Sequence, residues 1–222
     1  MKKKEKQSSQ TEIVVVLDRS GSMGSIAPST VEGFNKFLLE QQNSEGEAFI
    51  TLVQFDDRYE MNYSSIPVKN AQPLILGESF VPRGSTALLD AIGRTIEELK
   101  TDRDVVFVII TDGEENSSKT YKRKAINKMI DNLTKEEDWK FLFLAANQDA
   151  IRTGSSLGIS ANNSITYAAT SAGAYNVFST VSCNMSNYRS AKMSTTDFNS
   201  SFLEDTLKFT DSQREEQKKE GA

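Results

Sequence analysis

An α/β fold, a Rossmann-like three-layer α-β-α sandwich around a mostly parallel sheet, follows from three observations. First, residues 13–17 (IVVVL), 105–110 (VVFVII) and 141–145 (FLFLA) are short apolar runs bounded by polar residues. Strands buried on both faces of a parallel sheet have this character. Second, segments of helical period stand between these runs. Third, the first two runs are each followed at once by a turn rich in acidic and hydroxyl side chains, and open α/β sheets carry their sites beyond the carboxyl ends of the strands.

The elements follow in order. After the first strand, residues 28–42 place Val31, Phe34, Phe37 and Leu38 on one stripe, with Pro28 suited to a first helical turn. Residues 49–55 and 59–63 read as strands joined by the turn Asp56-Asp57-Arg58. So short a link makes the pair antiparallel, and the second becomes an edge strand. Residues 64–83 are irregular. Helical stripes recur at 86–100 (Leu88, Leu89, Ile92, Ile96, Leu99) and at 120–133 (Ala125, Ile126, Met129, Ile130, Leu133). A short strand is expected at 165–168. A last helix is expected over 171–190, with Ala174, Phe178, Val181, Met185 and Tyr188 on its apolar side and Cys183 in the core. The sheet then has about six strands.

The chain divides into a disordered basic tail (1–10), one domain (11–191) and a polar C-terminal extension (192–222). Within the extension, Phe198, Phe202, Leu203 and Phe209 either pack back onto the domain or serve a partner. Residues 2–6 read as a solvated run rather than an anionic docking patch. The polar stretch 7–10 interrupts any signal-peptide pattern.

Composition excludes several classes. Hydrophobic residues make up 37% of 222, enough for a core of ordinary size. No apolar run approaches the roughly 18–20 residues of a membrane helix. A net charge of −5 argues against nucleic-acid binding by charge. The absence of His removes Ser-His and Cys-His catalysis. One cysteine, Cys183, excludes an internal disulfide framework and a Cys-rich zinc site and favours the cytoplasm.

The chemistry-bearing segments are Asp18-Arg19-Ser20-Gly21-Ser22 after the first strand, Gly84-Ser85-Thr86 before a helix, and Thr111-Asp112-Gly113 after the strand at 105–110. They converge at one end of the sheet and offer carboxylates and hydroxyls, without thiol or imidazole. Such hard oxygen donors suit Mg²⁺, Mn²⁺ or Ca²⁺ rather than zinc or copper. In an extended loop Asp18, Ser20 and Ser22 alternate onto one side.

DRSGS, GST and TDG in this order resemble the metal ion-dependent adhesion site (MIDAS) of von Willebrand factor type A domains, over residues 11–191. The resemblance implies that Ser20 and Ser22 coordinate a divalent cation directly and Thr86 directly or through water. It implies that Asp18 and Asp112 act through bound water and hydrogen bonds to the serines. Arg83-Gly84-Ser85 stands where many relatives have glycines. Neutral hydroxyl ligands leave a cation electrophilic. The resemblance therefore implies a non-catalytic protein-binding module in which a partner's Asp or Glu completes the shell. The chain looks most like stand-alone cytosolic members from bacteria and phages. Several of their relatives work beside MoxR-type AAA ATPases or in stress-response gene clusters.

Two other classes stand beside this reading. A haloacid dehalogenase-like phosphatase also opens on an Asp after the first strand, but needs a second Asp where Ser20 stands. A scaffold with a purely structural metal predicts that site variants unfold. The residues 20–25 fit neither G-x-G-x-x-G nor a Walker A loop. Individually, Thr86 reads as a helix N-cap as well as a ligand, and Asp90 as a complement to the helix dipole. Glu114 and Glu115 read as solvated loop residues, Asp56 and Asp57 as turn residues, Asp149 as an N-cap, and Trp139 as packing. Asn147 and Gln148 fall at the functional end of the sheet.

Overall fold

The computed structural model describes residues 10–146, 149–194 and 200–219. The six strands are β1 (Thr11–Asp18), β2 (Ala48–Phe55), β3 (Tyr59–Pro67), β4 (Asp104–Thr111), β5 (Lys140–Ala146) and β6 (Ser164–Tyr167). They lie in the order β3-β2-β1-β4-β5-β6. All pairs are parallel except β2–β3, which forms the expected antiparallel edge. The helices are α1 (Ala27–Asn43), α2 (Leu88–Glu98), α3 (Arg123–Glu136), α4 (Ala150–Ser156), α5 (Ser171–Ser194), α6 (Ser200–Leu207) and α7 (Asp211–Lys219).

The two-residue period of β1 sorts the core into two layers. Ile13, Val15 and Leu17 join Phe34 and Phe37 of α1 and Val177 and Phe178 of α5. Val14 and Val16 face Leu88 and Ile92 of α2, Ile126 and Ile130 of α3, and Ala150 of α4. Each such side chain contributes about 1.5–3 kcal/mol on full burial. Trp139 stacks on Phe107, their ring centroids 6.4 Å apart, as packing.

The C-terminal extension is built into this structure. Leu207 and Phe209 are buried in the α1/α5 layer and Leu203 packs against it, while Phe202 stays 48% exposed. Arg214 of α7 donates to the carbonyls of Ala161, Asn162 and Ser164 at the β6 edge. Lys140 of β5 bonds Glu204 of α6 at 3.2 Å. Phe198 and the tail at 1–9 lie outside the described residues. Among the described residues no helix is long and apolar enough to cross a membrane.

Two local expectations are corrected, and a third is met on an unexpected helix. Cys183 is exposed, not core. It lies two residues from both Val181 and Met185, and about 100° per residue turns it to the opposite side of α5. Thr86 is not an N-cap: α2 begins at Leu88, and its cap position, Ala87, has no side-chain cap bond. The helix α4, which the sequence did not announce, starts at the expected Asp149 N-cap, whose carboxylate accepts the Arg152 amide at 2.9 Å.

Candidate metal centre

The sheet order reverses direction at β1: the chain moves to β2 and β3 on one side, then crosses to β4 on the other. Open α/β sheets form their crevice at such a switch point. Asp18 closes β1, Thr111 closes β4, and the strands run in register through Leu17 and Ile110. The two site loops therefore leave neighbouring strand ends.

Asp18 is fully buried and Ser20 is 1% exposed. The Asp18 Oδ1 accepts the Ser20 amide at 2.6 Å, and Oδ2 accepts the Thr111 hydroxyl at 2.6 Å. This fixes both carboxylate oxygens and bends the loop so that the hydroxyls of Ser20 and Ser22 stand 3.1 Å apart. Ser22 donates to Asp112 Oδ1 at 2.6 Å. Thr86 enters from the third loop. A Cβ on Gly113 would meet the Thr86 hydroxyl at 2.9 Å and that of Ser22 at 3.5 Å, so only glycine lets β4's turn come so close to both. Thr86 is 2% exposed. All five oxygen-bearing residues of the sequence motif thus gather at one place.

Burial dominates the electrostatics of the two carboxylates. Burial pushes Asp18 up to about 6, against the lowering pull of the Thr111 hydroxyl and Ser20 amide. Burial also raises Asp112, partly offset by the Ser22 hydroxyl. Burial, then the charges of Asp112 and Asp18, drive Tyr167 well above the ordinary phenol value. Its neutral hydroxyl donates to the Thr111 carbonyl from beneath the site at 3.3 Å.

The donor set fits a small hard cation. Cis oxygens of an octahedron with metal–oxygen bonds of about 2.1 Å lie about 3.0 Å apart, close to the Ser20–Ser22 spacing of 3.1 Å. No cluster of three or more Asp, Glu, Cys or His residues suited to a metal exists among the described residues. The centre is hydroxyl-rich, with two carboxylates only.

Surrounding residues hold the loops. Asp56 is more than a turn residue: fully buried, it accepts Arg19 Nε at 3.1 Å, Arg83 Nε at 2.8 Å and the Arg58 amide at 2.6 Å. The Arg83 amide donates to the Arg19 carbonyl, and that of Gly21 to the Gly84 carbonyl. Gly84 sits at φ +67, which suits glycine. The Thr86 amide donates to Asn116 Oδ1 at 2.9 Å. Glu115 is no solvated bystander. It accepts the amides of Leu89, Ser117 and Ser118 and the Ser118 hydroxyl, so it caps α2 from a distant loop.

Asp90 lies in the first turn of α2, yet its carboxylate is spent on the amides of Lys119, Thr120 and Tyr121. Burial alone would raise its pKa; those three amides and the Lys122 charge hold it below the ordinary value. A depressed carboxylate stabilises the fold above its unfolded pKa near 4, and that contribution fades as pH falls through the folded value. Asp90→Ala should cost about 1–3 kcal/mol at pH 7. In urea unfolding, the gap between variant and parent should narrow as pH drops below about 4. A gap independent of pH would refute the charge-based account.

Fold and site together define a class: an α/β sandwich with an oxygen-donor centre at the carboxyl ends of its two middle strands. The chain has the fold of von Willebrand factor type A domains. It is similar to proximal thread matrix protein 1 (PTMP1) of the mussel byssus, with a TM-score of 0.57 and 14% identity over 82% of this chain and 46% of that one. A form of that protein with a zinc-occupied MIDAS motif gives the same values. The ArnB paralog VWA2 from Sulfolobus acidocaldarius matches with a TM-score of 0.54 and 14% identity, over 78% of this chain and 44% of that one. The chain thus spans less than half the length of these solved proteins. No protein-family profile and no curated protein matches the sequence.

Proposed function

We propose that the chain is a divalent-cation-dependent, non-catalytic protein-binding module. Asp18, Ser20, Ser22, Thr86 and Asp112 would hold Mg²⁺, with Mn²⁺ or Ca²⁺ as substitutes. The observation that carries this reading is the donor set: Asp18, Ser20, Ser22 and Asp112 linked by hydrogen bonds, with the Thr86 hydroxyl brought beside them at Gly113. The zinc-bearing MIDAS motif of PTMP1 supports a divalent cation at the matching place. A bound cation would supply an electrophilic centre for an oxygen ligand. The hydroxyl ligands carry no charge of their own, so an Asp or Glu of a partner protein is the fitting further ligand. The chain's own residues orient the donors: Asp18 fixes Ser20, Asp112 fixes Ser22, and Thr111 and Tyr167 brace the loops from below. A cytoplasmic protein such as a MoxR-type AAA ATPase or a stress-response protein is the proposed kind of partner. Neither nucleic acid nor membrane enters this reading.

The experiment is thermal unfolding in excess EDTA and in about 10 mM Mg²⁺ or Mn²⁺. With a dissociation constant near 1 mM, mass action adds about 1.4 kcal/mol. At this size that is roughly 3–6 °C. The shift should vanish in Asp112→Ala, and the same variant should lose metal-dependent capture of acidic partners. Capture unchanged in Asp112→Ala would sink the proposal, and turnover of a generic phosphate ester would favour the phosphatase instead.

A further inference from the structure

Four of the five motif residues owe their places to the sheet. Asp18 ends β1, and its carboxylate holds Ser20. Asp112 follows β4, and its carboxylate holds Ser22. Thr86 ends no strand. It stands in the irregular segment 81–87, two residues before α2 begins at Leu88.

The backbone of Thr86 is gripped instead by the loop that leaves β4. The Thr86 amide donates to Asn116 Oδ1 at 2.9 Å. The Thr86 carbonyl accepts the amides of Asn116 at 3.0 Å and Ser117 at 3.2 Å. Asn116 thus holds one polar group of the Thr86 backbone with its side chain and the other with its main chain. A backbone N–H can only donate, so it is the carboxamide oxygen, not the nitrogen, that faces Thr86. The turn presenting Asn116 is itself fixed, because the Glu115 carboxylate accepts the Ser117 and Ser118 amides. Near the start of the same loop, Gly113 lets the chain pass the Thr86 hydroxyl, which a Cβ there would meet at 2.9 Å. One loop therefore carries Asp112 and sets the place of Thr86. Asn116 is exposed, and a single exposed hydrogen bond contributes only modestly to a fold. Its larger effect falls on where the Thr86 hydroxyl stands.

We propose that Asn116 is a positioning residue of the metal centre. Its carboxamide sets the Thr86 hydroxyl relative to Asp112 and so tunes the affinity for the cation without being a ligand. The inference rests on the metal-binding reading above and deepens it, adding to the five motif residues a sixth that acts only through Thr86.

Titration of the full chain with Mn²⁺, followed by the electron paramagnetic resonance of the free ion, reads the site. Urea unfolding in EDTA reads the fold apart from the metal. Loss of a group that orients a metal ligand ordinarily costs about 10–100-fold in affinity, so Asn116→Ala should weaken Mn²⁺ binding by about tenfold. Asn35 supplies the control. Its carboxamide grips Leu74 in the same manner, accepting the amide at 2.7 Å and donating to the carbonyl at 2.9 Å, on a loop without a motif residue. Asn35→Ala should lower the urea midpoint and leave Mn²⁺ affinity unchanged. In a Thr86→Val background, which removes the hydroxyl and keeps the shape, Asn116→Ala should cost no further affinity. Equal Mn²⁺ affinity in the parent and Asn116→Ala, a loss matched by Asn35→Ala, or a tenfold loss added on top of Thr86→Val would overturn the positioning role and leave the metal reading standing. No Mn²⁺ bound by the parent at millimolar concentration would overturn both.

Discussion

Replacing Asp56 by alanine should lower the stability of the domain by about 3–5 kcal/mol, the usual loss when one partner of a buried ion pair is removed. Asp56 is fully buried and Arg19 only 3% exposed. Burial works to raise the Asp56 pKa, but the Arg83 and Arg58 hydrogen bonds and the Arg19 charge hold it below the ordinary carboxylate value. Its contribution is thus present at neutral pH and lost as pH falls through that lowered value. With Asp56 gone, Arg19 keeps only the half-exposed Glu60, at 2.8 Å. Arg19 and Arg83 also carry the backbone bond that joins two loops of the metal centre, so the variant should lose the Mg²⁺-dependent rise in Tm as well. Urea unfolding of Asp56→Ala and of Asp56→Ala/Arg19→Met checks this. The double variant should recover part of the loss, because it removes the orphaned charge. A single-variant loss below about 1 kcal/mol would show that Arg19 is solvated instead.

Arg189→Ala should be comparably severe, at about 3 kcal/mol or more. Arg189 of α5 is 3% exposed and faces carbonyls rather than a carboxylate. It donates to the Gln41 carbonyl and side chain at 2.8 and 3.0 Å, and to the carbonyls of Ser44, Glu45 and Gly46. The guanidinium fork thus ties α5 to the end of α1 and the link to β2. Lysine, a compact point charge, should not restore stability. Hydrogen exchange should show α5 and residues 41–46 losing protection together. Protection unchanged in Arg189→Ala would mean that the apolar contacts of Val177, Phe178 and Val181 suffice to hold the helix.

The strands and the five oxygen-bearing residues were legible because their signals are local. IVVVL needs no distant information to read as a buried strand, and DRSGS follows it directly. What stayed illegible depends on partners far along the chain. Glu115 caps a helix that begins 27 positions earlier, at Leu88, and looks like any loop carboxylate until that helix is placed beside it. Asp56 looks like a turn residue, and it is one, through Arg58; its ion pairs with Arg19 and Arg83 exist only in the assembled sheet. Tyr167 acts through the third strand away from β1 in the sheet, and nothing in SITY announces a hydroxyl beneath the site. Cys183 differs for another reason: read on the apolar side of the last helix, it stands two residues from both Val181 and Met185 and so faces outward.

That outward-facing Cys183 gives the molecule a chemical valence of one. It is the only thiol in the 222 residues, and it stands on the outside of α5. Oxidation between copies can therefore join two molecules and then has nothing left to join, so the products end at dimers and never grow into chains. A maleimide dye would by the same logic mark every molecule once, at the same residue.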